Sequence, residues 1–184
     1  MNSKYKFGLT EVIATIVGSL LIVGIDILFN NYEIVYANAC KSFLIVIVAA
    51  VFGAASGVVA AVASSLLQAA ILGLDISLIS VIALALLAYA VGHYAPRYGI
   101  RDGLFKGKAV LRFVLVKLLA EVISWLFFLP LFNFLMTREN LLKMLDDNIM
   151  RVLMLTLSDI VIIPIFLIIS RFSTGNVINK KDNK

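Results

Sequence analysis

The chain reads as an all-α integral membrane protein: a compact bundle of six transmembrane helices with both termini cytoplasmic. Three observations predict this. Hydrophobic residues make up 62% of the 184 and charged residues only 15%, against about 25% charged in a soluble domain. The mean hydropathy is +1.04. Eleven of the sixteen lysines and arginines fall in three short segments: the first six residues, 97–112, and the tail from Arg171. The positive-inside rule puts these segments in the cytoplasm, which makes the number of crossings even.

Each crossing needs roughly 20 apolar residues, and the chain supplies them as one membrane domain over 1–184. Span one covers 10–29 and is followed by the polar outer segment 30–33. Lys4 and Lys6 ahead of an apolar run look like a signal peptide, but no small-residue cleavage site follows, so the run is read as a retained span. The apolar stretch 37–73 is too long for one crossing. Gly53 and Gly57 bracket small residues that allow a tight turn, which divides it into spans at 37–53 and 57–73. Span four covers 76–94 after a short outer turn at Asp75. The connection that follows holds Pro96, three glycines and several charges, and belongs in water. Span five covers 109–134, long enough to tilt. In the outer segment 137–147, Leu141, Leu142 and Leu145 at helical spacing suggest a short interfacial helix. Span six covers 149–169 with a kink at Pro164, and 172–184 is a loose polar tail.

This composition excludes several functions. The net charge of +5 is accounted for by cytoplasmic loops facing anionic lipid, so no nucleic-acid partner is implied. Cys40 is the sole cysteine, so neither a disulfide nor a zinc cluster can form, and no metal or cofactor is expected. There is no nucleotide-binding P-loop, no H-E-x-x-H and no nucleophile elbow. His93 reads as an interfacial anchor at the inner end of span four. The chain is not read as an enzyme.

Four ionisable residues lie well inside spans: Asp26, Lys117, Glu121 and Asp159. A charge at mid-bilayer costs about 2.5–3.5 kcal/mol on insertion scales, so such residues face the bundle or a wet cavity. Lys117 and Glu121 share a helix face that Trp125 extends one turn outward. Glu121 and Asp159 reach similar depth. One reading is a polar pocket between spans five and six, opening outward past Trp125, Asn133 and Arg151. The other is a charge cluster that only locks helices, with Trp125 as an ordinary interfacial anchor.

Spans one to three are built differently. Ala14 and Gly18 put small residues on one face, and Gly53, Gly57, Ala60, Ala61, Ser64 and Ser65 continue the series. Small faces let helices approach closely, whether within this bundle or against a partner. The chain divides into a smooth half suited to docking and a polar half suited to binding.

Three passages carry a family resemblance: Ala49-Ala-Val-Phe-Gly53 followed by Gly57, then Tyr98-Gly-Ile-Arg-Asp-Gly-Leu-Phe105, then Lys117-Leu-Leu-Ala-Glu-Val-Ile-Ser-Trp125 leading to Leu129-Pro130. With the order of spans, they make the chain resemble the membrane-embedded substrate-binding (S) component of energy-coupling-factor (ECF) vitamin transporters. Within that group it is most similar to the riboflavin-type S components, formerly an uncharacterised UPF family.

The resemblance implies a six-helix protein of the bacterial cell membrane that captures a vitamin near the outer face. It also implies partners: a transmembrane scaffold (T) subunit and two cytoplasmic ATPases, docked through small residues of the first three helices. On that basis Ala14, Gly18, Gly53, Gly57 and Ala61 are expected to dock. The ligand is expected among Tyr36, Asn38, Asp75, Glu121, Trp125, Asn133, Arg151 and Asp159, with Trp125 and Tyr36 stacking on a planar molecule. The chain departs from many relatives at Ser64-Ser65, at Gln68-Ala69 and at Glu121, positions that bear on ligand choice. Riboflavin, pyridoxine-like molecules, thiamine precursors and cobalamin all stay open. The rival is a stand-alone ion- or proton-coupled carrier using Lys117, Glu121 and Asp159 as a relay. A third reading is a structural membrane subunit.

Overall fold

Long runs of Leu, Ile, Val and Ala in lipid must satisfy every backbone N–H and C=O internally, and a helix does so within one segment. In a computed structural model the described residues are 8–29, 34–73, 78–100, 106–138, 140–146, 148–150, 152–157, 163–164 and 168; the side chains of 26, 29, 34–39 and 137 fall outside the description. Among the described residues there is no strand. The helices are α1 (Leu9–Phe29), α2 (Ile34–Phe52), α3 (Ala54–Leu72), α4 (Leu78–Tyr94), α5 (Gly107–Val122) and α6 (Leu129–Thr137). A 3-10 turn, Ala95–Tyr98, extends α4, and a π-helical turn, Ile123–Phe128, joins α5 to α6 without a break. Residues 141–146 form the expected short helix, residue 148 is helical, and in the sixth expected span 149–150, 152–157, 163–164 and 168 are helical.

Ala54–Leu72, Leu78–Tyr98 and Gly107–Met136 are each long and apolar enough to cross a membrane, and Leu9–Ile25 and Cys40–Phe52 are shorter apolar helices. The protein is a multi-pass membrane protein. Many of its large hydrophobic side chains point outward: Ile13, Ile16, Leu20, Leu66, Leu119, Phe127 and Leu135 are each more than half exposed. The interior mixes small and large side chains, with Ala49, Ala50, Ala61, Ala88 and Val91 sealed between helices beside Ile45, Leu87 and Phe113. Lipid tails are as apolar as leucine, so association rests on close packing and internal hydrogen bonds rather than on hydrophobic drive.

The turn between spans two and three is tighter than its expected five residues. α2 runs to Phe52 and α3 begins at Ala54, leaving Gly53 alone at φ 100°, a conformation closed to residues with a Cβ. Along a continuous helix Ala49 and Gly57 would stand about 12 Å apart. Here a Cβ on Gly57 would meet the Ala49 side chain, so the chain has folded back on itself. Gly57 is therefore a contact residue inside α3 and not part of the turn. At the other end of α3, Gly73 in the left-handed region donates its N–H to the Ala69 carbonyl and stops the helix. α2 starts at Ile34, ahead of the expected 37, so Tyr36 as well as Asn38 belongs to its backbone.

α1 packs on α2 and α3, and α4 packs on α2, α3 and α5. Among the described elements α5 touches α4 and not α1 to α3, so α4 is the wall shared by the two halves. Gly92 makes this crossing close: a Cβ there would run into the backbone of Ala54 and Gly53. Three buried hydroxyls are satisfied within their own helices. Thr15 donates to the Glu11 carbonyl at 2.7 Å, Ser19 to Thr15 at 2.8 Å and Ser64 to Ala61 at 3.1 Å.

Candidate functional site

Lys117, Glu121, Trp125 and Leu129 follow one another at four-residue steps along the α5–α6 rod, and they are 1%, 0%, 3% and 6% exposed. In an ideal helix twelve residues turn a side chain by roughly a third of a circle off its starting face, so such a stripe drifts out of the interface. The π-helical turn prevents this. The N–H of Leu129 donates to the Ser124 carbonyl five residues back, and the wider turn slows the rotation. Its local cause is Pro130, which has no N–H to donate and whose ring crowds the carbonyl four residues earlier.

Along this stripe Lys117 Nζ lies 2.6 Å from Glu121 Oε1, both side chains buried. One turn on, Trp125 packs with Ala83 of α4, Leu129, Val152 and Leu155, flanked by Ile79, Leu84 and Val122. The small side chain of Ala83 leaves the space the indole fills. The arrangement is therefore an ion pair beneath an aromatic wall, between α4 and the helical segment 152–157. It offers one pair of opposite charges in a low-dielectric setting and a ring face, which suits binding and orientation rather than bond-making. Among the described residues no group of three or more His, Cys, Asp or Glu can hold a metal ion.

A separate cavity of about 470 Å³ opens on the neighbouring face of the same rod, lined by Leu126, Phe127, Pro130, Leu131, Leu141, Leu145 and Ile149. The size suits a small molecule, but every lining residue is apolar and nothing there could orient a polar ligand. It does show what the short helix 141–146 is for. Asn140 caps it, accepting from Leu142 N–H at 3.0 Å, and it turns Leu141 and Leu145 onto α6 while Leu142 stays exposed.

Of the expected ligand residues, the structure joins Glu121 and Trp125 on one face and leaves Asn133 half-buried two turns further along, on α6. The side chains of Tyr36 and Asn38, together with Asp75, Arg151 and Asp159, lie outside the described residues, as does that of Asp26. The expected set lacks Ser124, buried beside Trp125, and Asn148, whose Nδ2 donates to the Met144 carbonyl at 2.7 Å. Ser124 carries the signal that marks Glu121, a polar residue among apolar neighbours, whereas Asn148 follows Asp146 and Asp147 and carries no such signal.

The expected docking residues are placed inside the chain's own packing. Gly18 lies against Val48, Gly57 against Ala49 and Ala88, and Ala61 is fully buried. Ala14 and Gly53 are half-buried. Packing within the bundle thus accounts for Gly18, Gly57 and Ala61, because a helix contact this close consumes the small face that makes it.

No curated protein and no solved structure matches the chain. A family model does: the one described as ECF-type riboflavin transporter, S component, matches residues 6–171, which include the whole stripe and every helix named above. The chain belongs to that family, and is a membrane-embedded substrate-binding subunit of an ECF-type transporter rather than an enzyme.

Proposed function

We propose that the protein captures a water-soluble vitamin or vitamin precursor at the outer face of a bacterial cell membrane and delivers it to an ATP-driven importer. The observation that carries this reading is the family match across nearly the whole chain, coinciding with a buried polar and aromatic stripe in the half expected to bind. Both termini are cytoplasmic in this reading, which the clustering of basic residues supports. Trp125 supplies a planar wall, Glu121 an oriented acceptor, and Arg151, Asn133, Asp159, Asp75, Asn38 and Tyr36 complete the outer rim of the site.

A transmembrane scaffold subunit and two ATPases supply the energy. They dock on the side of α1 to α3, where Ile13, Ile16, Leu20, Val59 and Leu66 are exposed. Ala14, Gly18, Gly53, Gly57 and Ala61 serve that docking indirectly, by holding the three helices close enough to present one smooth face.

Mass spectrometry of small molecules released from the detergent-purified protein tests the reading. A stoichiometric vitamin, with affinity lowered by Trp125→Phe and by Arg151→Ala, is the expected result. An empty protein that binds nothing in a panel of B vitamins would sink it. The buried Lys117–Glu121 pair favours one second reading, a stand-alone ion- or proton-coupled carrier. Substrate uptake into vesicles holding this chain alone would establish the carrier, whereas a capture subunit needs its scaffold and ATPases.

A further inference from the structure

α4 carries a second stripe that neither the substrate site nor the core uses. Leu78, Ile82, Leu86 and Tyr89 are exposed along it at helical spacing. At its basic end Tyr89 stacks on His93 with ring centroids 5.8 Å apart, and His93 meets Tyr94 edge-on at 5.3 Å. Arg97, in the 3-10 turn, reaches back so that its Nη2 is 2.9 Å from His93 Nε2, while its guanidinium carbon sits 5.0 Å from the Tyr94 ring centroid. Arginine has no acceptor, so in this contact Nε2 accepts. A side chain that is ordinarily mobile is thus held by one acceptor and one ring face, with further N–H groups of its planar fork still exposed.

Lys106, Lys108 and Arg112, at and just after the start of α5, are exposed as well, and the 3-10 turn packs directly on α5. Among the described residues no carboxylate pairs with any of these four cations. We propose that this end of α4 is a binding site for an anionic phospholipid, its phosphate on the Arg97 guanidinium and its chains along Tyr89, Leu86 and Ile82.

Three features select this occupant. Among the described residues the cations are unmatched, so the complement is an anion, and a fork-shaped donor suits phosphate oxygens. From Leu86 to Arg97 the helix rises about 16 Å, roughly half the ~30 Å hydrocarbon core and hence one leaflet deep. The aromatic residues stand between the apolar stripe and the guanidinium, where the glycerol region of a lipid would lie. An acidic protein segment would match only the charged end and leave the apolar stripe unused.

The test is native mass spectrometry of the full-length protein in detergent with equal phosphatidylglycerol and phosphatidylcholine added. Phosphatidylglycerol should be retained at least about fivefold over phosphatidylcholine, with Arg97→Gln removing about fivefold, the effect expected of one cation at a membrane surface. Arg97→Lys, which keeps the charge and loses the fork, should fall between. Lys143→Gln, a charge change on the short helix 141–146, should change nothing. Thermal unfolding in micelles identifies any variant that has lost its fold, and Arg97→Lys then carries the comparison. Equal retention of the two lipids would overturn the proposal, as would an equal loss in Lys143→Gln. So would displacement of the lipid by millimolar inorganic phosphate, which would mark a free-anion site. A loss in Arg97→Gln confined to co-purification with a scaffold subunit would make the patch a protein contact instead.

Discussion

Lys117 and Glu121 stand one turn apart on α5 with Nζ 2.6 Å from Oε1, and neither side chain is more than 1% exposed. Removing either charge from water costs several kcal/mol, and their close pairing offsets much of it. Lys117→Met or Glu121→Leu alone should therefore destabilise the protein by about 3–5 kcal/mol, whereas the double replacement should be near neutral or stabilising. Denaturant unfolding in micelles, run as a double-mutant cycle, reads this directly. Additive single effects would mean that the pair does not act as a unit.

Gly92 and Gly24 make opposite predictions from the same chemistry. A Cβ on Gly92 would enter the backbone of Ala54 and Gly53, which cannot yield as a side chain can. Gly92→Ala should cost about 1–3 kcal/mol or more. Gly24 has nothing within 4 Å of the same position, so Gly24→Ala should stabilise α1 by up to about 1 kcal/mol. Thermal midpoints in detergent would show the two variants moving apart; a tolerated Gly92→Ala would mean that α4 does not cross at this turn.

Trp125 is asked to pack and to bind, and substitution can separate the two. Trp125→Ala opens a cavity among Ala83, Leu129, Val152 and Leu155 and should cost about 3–5 kcal/mol of stability. Trp125→Phe keeps a ring and loses much less. If a planar ligand rests on the indole, Trp125→Phe should still weaken it by about 0.5–1.5 kcal/mol, measured by titration. Unchanged affinity would move the ligand off this wall.

Ser42 on α2 is 1% exposed, and among the described residues its hydroxyl has no hydrogen-bond partner. Deleting a buried polar group that nothing satisfies removes a desolvation cost of about 1–3 kcal/mol. Ser42→Ala should therefore leave the unfolding midpoint unchanged or raise it. Ser64→Ala, which breaks the 3.1 Å bond to the Ala61 carbonyl, should not raise it. A clear loss in Ser42→Ala would point to a bridging water held by the hydroxyl.

The candidate stripe was half legible in the chain itself. Lys117 and Glu121 declare their shared face by spacing, and Trp125 follows at the next step. What keeps Trp125 and Leu129 on that face is the π-helical turn, and its signal, Pro130 inside an apolar run, reads from sequence only as a generic kink. Gly57 was misplaced for a related reason. Glycine signals both a turn and a close contact, and which it serves depends on what stands opposite; here Gly53 makes the turn and Ala49 stands against Gly57.

The residues alone carry the membrane-embedded helical class, the absence of enzyme motifs and the family. These follow from local quantities: hydropathy over some twenty residues, charge in the loops and short motifs. Only the tertiary structure decided that Gly18, Gly57 and Ala61 are consumed inside the bundle, that α4 is the wall between the halves, and that Trp125 fills the space left by Ala83. The physical reason is that lipid and a neighbouring helix are equally apolar. Hydrophobicity therefore says that a segment enters the membrane, while close packing between particular side chains alone says which face meets which helix.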